Sequence, residues 1–117
     1  MNCCAALRCG GPTWGHEVVF VFRLLDLPDS GALRQRMRPQ HKAYLAEVAD
    51  RIAFAGPLLG DDGETMIGSL LAIEFTDRDA ALAWLTDEPF TRAGLYAEAE
   101  IHAFANLWPQ RSGFPPP

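Results

Sequence analysis

The middle of the chain constrains its fold more than any other part. Ile52-Ala53-Phe54-Ala55-Gly56-Pro57-Leu58 is an apolar run, Leu59 to Glu64 (LGDDGE) is rich in turn formers, and Thr65 to Phe75 (TMIGSLLAIEF) is apolar again. Two such runs joined by a short Gly/Asp segment read as an antiparallel hairpin. Pro57 has no N–H to give to a ladder, so the first strand belongs at a sheet edge or a bulge. A hairpin alone is at best marginal in water. Its partners must therefore come from the flanking sequence.

Upstream, Val18-Val19-Phe20-Val21-Phe22 reads as a buried strand ending near Leu25, and Asp26 to Gly31 as a loop. A helical stretch follows, interrupted by Pro39. Proline in a helix interior costs about 3 kcal/mol, so the pattern predicts a short helical turn over 32–37 and a second helix with Pro39 at its first position. Leu45, Val48 and Ile52 then share a face, with His41 at its open end. Downstream, Thr76 is expected to cap a helix from Asp77 to about Thr86, with Asp79 completing a capping-box variant and suiting the helix dipole. That helix presents Ala81, Leu82 and Leu85 to the core, with Trp84 as a packing residue. Pro89 ends it, one further turn runs to Gly94, and Ala97 to Leu107 alternates as a fourth strand. The order strand, helix, strand, strand, helix, strand predicts an α+β ferredoxin-like fold, βαββαβ, with a four-stranded antiparallel sheet and helices on one face. The face left uncovered leads us to expect a homodimer of the dimeric α/β-barrel type.

At 117 residues the chain holds one core, placed at 17–108, between a flexible leader at 1–16 and a disordered tail at 109–117. A net charge of −5 argues against nucleic acid or an anionic membrane as partner. No segment approaches the ~20 apolar residues of a membrane span, and the N-terminus lacks the apolar run of a signal peptide. Cys3, Cys4 and Cys9 are too few and too clustered for a disulfide scaffold, so a reducing cytoplasm is the expected location. No metal site is expected, since His16, His41 and His102 lie on separate elements without ligand spacing.

The stretch RMRPQHKAYL at 36–45 carries the candidate chemistry. His41 admits three readings: packing, a helix end, or a general base. In the first turn of a helix begun by Pro39, the dipole would keep its imidazole neutral, as a base requires. Free N–H groups there, with Arg36 or Arg38 as counter-charge, suit a small anionic ligand; the plainer reading of Arg34, Arg36 and Arg38 is a solvated face. Ser69 and Tyr44 are candidates to hydrogen-bond substrate oxygens, or structural residues. Asp87 and Glu88 serve as a carboxylate partner for His41 or only end a helix. No cofactor is expected.

Four stretches add to this. RPQH at 38–41, AGPL at 55–58, GS at 68–69 and EPFTRAGLY at 88–96 occur in the order and spacing of YciI-like (YCII-related) proteins, which the chain resembles from about Val18 to Trp108. The resemblance implies a dimeric ferredoxin-like fold and a small pocket with a histidine–aspartate pair. The histidine falls on His41. The carboxylate falls on Glu88, where the family has aspartate, with Asp87 as the substitute. Family members of known activity imply lyase chemistry on halogenated aromatic compounds, namely dehydrochlorination. The resulting expectation is a small cofactor-free lyase or isomerase using His41 and a carboxylate on a small cyclic substrate, anionic or not. The alternative is a non-catalytic dimeric module that binds a small ligand or assists another enzyme.

Overall fold

The computed structural model describes residues 18–111. The leader at 1–16 with its three cysteines, and most of the tail at 109–117, lie outside the described residues. The elements are β1 (Val18–Asp26), α1 (Gly31–Ala46), a 3-10 turn (Ala49–Arg51), β2 (Ile52–Leu59), β3 (Met66–Phe75), α2 (Arg78–Thr86), α3 (Pro89–Arg92) and β4 (Tyr96–Phe104). The strands form one antiparallel sheet in the order β2-β3-β1-β4, the ferredoxin-like arrangement. Pro57 lies on the edge strand β2, where its missing N–H costs no ladder bond on the open side.

Both long helices cover the face to which Phe20, Phe22 and Leu24 of β1 and Leu71, Ile73 and Phe75 of β3 project. All six are buried, with Ala81 and Leu85 of α2 and Ile101 of β4. Trp84 closes the aromatic cluster, its ring 5.5 Å from Phe22 and 5.8 Å from Phe75. Gly68 is required where it stands: a Cβ there would run into the carbonyl oxygen of Leu24.

Four local expectations are corrected. Pro39 does not begin a helix; it lies inside the continuous α1. Its ring removes an N–H and crowds the Gln35 carbonyl, yet both residues are on the exposed side. Arg34 before it and His41 after it are both tied down by side-chain bonds, so tertiary contacts override the local penalty. The cap of α2 is Asp77, whose side chain accepts from the Ala80 N–H, rather than Thr76. Leu82 is 42% exposed and leaves the core of that helix to Ala81 and Leu85. The last strand ends at Phe104, short of Leu107.

Candidate active site

Strand alternation builds one end of the helix-covered face from polar residues. After Phe20, Phe22 and Leu24, the next residue of β1 on that face is Asp26. After Phe75, Ile73 and Leu71, the next of β3 is Ser69. Tyr96 opens β4 directly opposite Asp26. Above them, Arg34 and His41 are seven residues apart on α1 and so project from one side of the helix. They are also the two residues of α1 that are buried.

Glu88 comes from the junction of α2 and α3. It is the N-cap of α3, with Pro89 at the first helical position, and its Oε2 accepts from the Phe90 N–H at 2.9 Å. The same oxygen lies 2.6 Å from His41 Nδ1. Glu88 is fully buried, and the His41 side chain keeps 10% of its surface. Tyr96 Oη donates to Glu88 Oε1 at 3.2 Å and lies 3.5 Å from Ser69 Oγ. The Phe90 ring stacks on the imidazole at 4.1 Å. The carboxylate is therefore held from three sides, and it accepts a hydrogen bond from Nδ1–H. That places a proton on Nδ1, and Nε2 has no hydrogen-bond partner among the described residues. Burial, then the charge of Glu88, pushes the Tyr96 hydroxyl well above its usual value, so it stays a donor.

The second half of the network is ionic. Arg34 grips Asp26 through Nε to Oδ2 at 2.7 Å and Nη2 to Oδ1 at 3.0 Å, and Nη2 also donates to Ser69 Oγ at 2.9 Å. Its guanidinium lies 4.7 Å from the centre of the Phe90 ring. A continuous chain of bonds thus runs from Asp26 through Arg34, Ser69, Tyr96 and Glu88 to His41.

Of the residues singled out in the sequence, His41, Glu88 and Ser69 meet here. Asp87 does not: it is exposed and pairs with Arg92 at 3.6 Å. Arg36 and Arg38 are exposed and line two separate shallow surface grooves, neither of which contains His41 or Glu88. Tyr44 donates to the Trp84 carbonyl at 2.8 Å and stacks on its ring, a packing role. Its hydroxyl is nevertheless pushed up by burial and then by Asp87, Glu47 and Glu88. His41 lies well inside α1, beyond the first turn over which the dipole acts, so its tautomer is set by Glu88 and not by a helix start. Asp26, Phe90 and Tyr96 were not singled out, and Arg34 was read as part of a solvated face. The sequence carries a signal for two of the four: Asp26 continues the alternation of β1, and Arg34 precedes His41 by seven residues. Among the described residues no group of three His, Cys, Asp or Glu side chains could hold a metal ion, and no helix is long and apolar enough to cross a membrane.

The chain is similar to known proteins. The family profile described as YCII-related domain matches residues 18–105. Protein YciI of Escherichia coli O6:H1 is 30% identical over 98 residues, spanning 78% of this chain and all of that protein. An uncharacterized protein of Haemophilus influenzae is 28% identical over 96 residues, 76% of this chain and 98% of that one. Among solved structures, the 5-chloro-2-hydroxyhydroquinone dehydrochlorinase TftG of Burkholderia phenoliruptrix AC1100, in complex with 2,5-dihydroxybenzoquinone, superposes with a TM-score of 0.69. It is 30% identical, and the match covers 74% of this chain and 93% of that one. By the extent of these matches, the chain belongs to the YCII-related domain family.

Proposed function

We propose that the chain is a lyase in which His41, held by Glu88, is the general base and the substrate is a small halogenated hydroxy-aromatic ring. One observation carries this: Nδ1 is engaged by a buried carboxylate at 2.6 Å, while Nε2 has no hydrogen-bond partner among the described residues and is free to act as a base. In a dehydrochlorination the ring reacts as its keto tautomer, in which the chlorine-bearing carbon is sp3: Nε2 takes a proton from the substrate, the electron pair of that bond forms the new double bond, and chloride departs with the C–Cl bonding pair. Glu88 stabilises the imidazolium that results. Its carboxylate, one methylene longer than the family's aspartate, reaches the ring from a cap position and so replaces that residue. TftG acts on a substrate of this class, which supports the choice.

The test is chloride release from 5-chloro-2-hydroxyhydroquinone and related chlorinated hydroquinones. Wild type should turn over, and His41→Ala should lose roughly 10²-fold or more of the rate. Activity that survives His41→Ala removes the mechanism. Binding that depends on His41 without any product would instead favour the ligand-binding module. The same proposal seats a second copy of the chain on the uncovered sheet face, where Phe54 and Phe104 are 37% and 44% exposed. A monomer mass by light scattering would remove that part.

A further inference from the structure

The geometry points to Arg34 as the residue that binds the substrate's oxygen, and to a phenol or enol, neutral at rest, as the substrate class. This rests on the reading of His41 as the base. A guanidinium offers five N–H donors in a rigid fork. Three are used within the protein: Nε on Asp26, and Nη2 on Asp26 and Ser69. The two hydrogens of Nη1 have no acceptor among the described residues, although the Arg34 side chain is only 4% exposed. Nη1 is also not among the atoms sealed from solvent without a partner. A buried donor is normally met by protein, water or a ligand, so a small opening reaches Nη1 with its hydrogens still to give.

The other unpartnered nitrogen of the site is Nε2 of His41. Both side chains lie against the Phe90 ring, the imidazole at 4.1 Å and the guanidinium carbon at 4.7 Å. The imidazole centre and the guanidinium carbon are therefore no farther apart than the sum of those two distances, the scale of one six-membered ring with its substituents. A base and a double donor at that separation suit a molecule that loses a proton to one while an oxygen gains charge beside the other.

The charge balance selects the class. Asp26 already neutralises Arg34, so the site carries no spare cation to draw a permanent anion from water. What Nη1 offers is a preorganised donor pair, which strengthens as charge develops on an acceptor. In the step, a phenol O–H or a C–H beside a ring carbonyl breaks, its proton goes to His41 Nε2, and its electron pair is left as a phenolate or enolate whose oxygen Nη1 holds. Arg36 and Arg38, on the exposed surface, take no part.

The probes are 4-chlorophenol and 4-chlorotoluene, equal in shape but differing in the oxygen, titrated into the wild-type protein with side-chain ¹⁵N NMR detection. The phenol should bind about tenfold more tightly and move both the Arg34 guanidinium and the His41 ring signals. Arg34→Lys, which keeps the charge and loses the fork, should erase that preference while leaving binding of the toluene unchanged. The wild-type guanidinium signals decide the matter even if the variant does not fold. If the phenol moves His41 but not Arg34, the anchor is wrong and the base reading stands. If it moves neither, both fall.

Discussion

The two ends of the helix-covered sheet face are built from the same two strands and hold together by opposite means. At one end Phe20, Phe22, Ile73 and Phe75 pack with Trp84, Ala81 and Leu85, and no hydrogen bond is asked of a side chain. At the other, reached one alternation further along each strand, Asp26 and Ser69 stand with Arg34, His41, Glu88 and Tyr96 in a fully connected network. The apolar end stabilises through area and tolerates small shifts, because dispersion and burial are non-directional. The polar end is affordable only because nearly every buried group has its partner, and each bond depends on direction as well as distance. The two groups left open, His41 Nε2 and Arg34 Nη1, are the ones a substrate would meet.

The contrast can be broken from either side. Phe22→Ala should have the largest effect on stability, about 3–5 kcal/mol in denaturant unfolding, since it opens a cavity under Trp84 and Phe75. The fraction still folded should keep its His41–Glu88 bond. Asp26→Asn comes next, at roughly 3 kcal/mol, because it strands a buried guanidinium. A cost near that of a surface pair would mean the network contributes little.

Tyr96→Phe sharpens the comparison rather than breaking it. At neutral pH it should cost about 1 kcal/mol, the worth of one hydrogen bond to Glu88. Its pH signature is more telling. The native state holds the Tyr96 proton above the ordinary value of 10.0, through burial and then the charge of Glu88. Its contribution is therefore fully present below about pH 10 and is lost as pH rises toward the native-state value. Stability of the wild type should fall with rising pH there, and the variant should lose that part of the slope. Asp87→Asn should do least, within about 0.5 kcal/mol and with no change in activity, because its ion pair with Arg92 is exposed.

Strands and their order were legible in the sequence because period-2 alternation and the turn residues agree with the final fold. The edge position of β2 followed from Pro57 alone. Pro39 misled for a definable reason. Local chemistry argues against proline inside a helix, and what overrides it, the anchoring of Arg34 and His41 on either side, is spread over residues 26, 69 and 88. That one misplacement had a further consequence. Splitting α1 at Pro39 destroyed the phase relation between Arg34 and His41, so the arginines nearer to His41 in sequence, Arg36 and Arg38, looked like its companions. A continuous helix turns those two to solvent and brings Arg34 in. Glu88 was legible through resemblance and Asp26 through the alternation of β1, whereas Tyr96 enters the site only through strand pairing, which no local pattern announces.

The claim on which all of this depends is that Glu88 holds His41 by the Nδ1 proton. The measurement is the ¹⁵N-edited proton spectrum of the imidazole in wild type, Glu88→Gln and Asp87→Asn. We predict a far-downfield Nδ1–H signal with a bare Nε2 in wild type, moved strongly upfield in Glu88→Gln and unchanged in Asp87→Asn. A wild-type ring protonated at Nε2 alone, or an Nδ1–H signal indifferent to Glu88→Gln, would contradict the account.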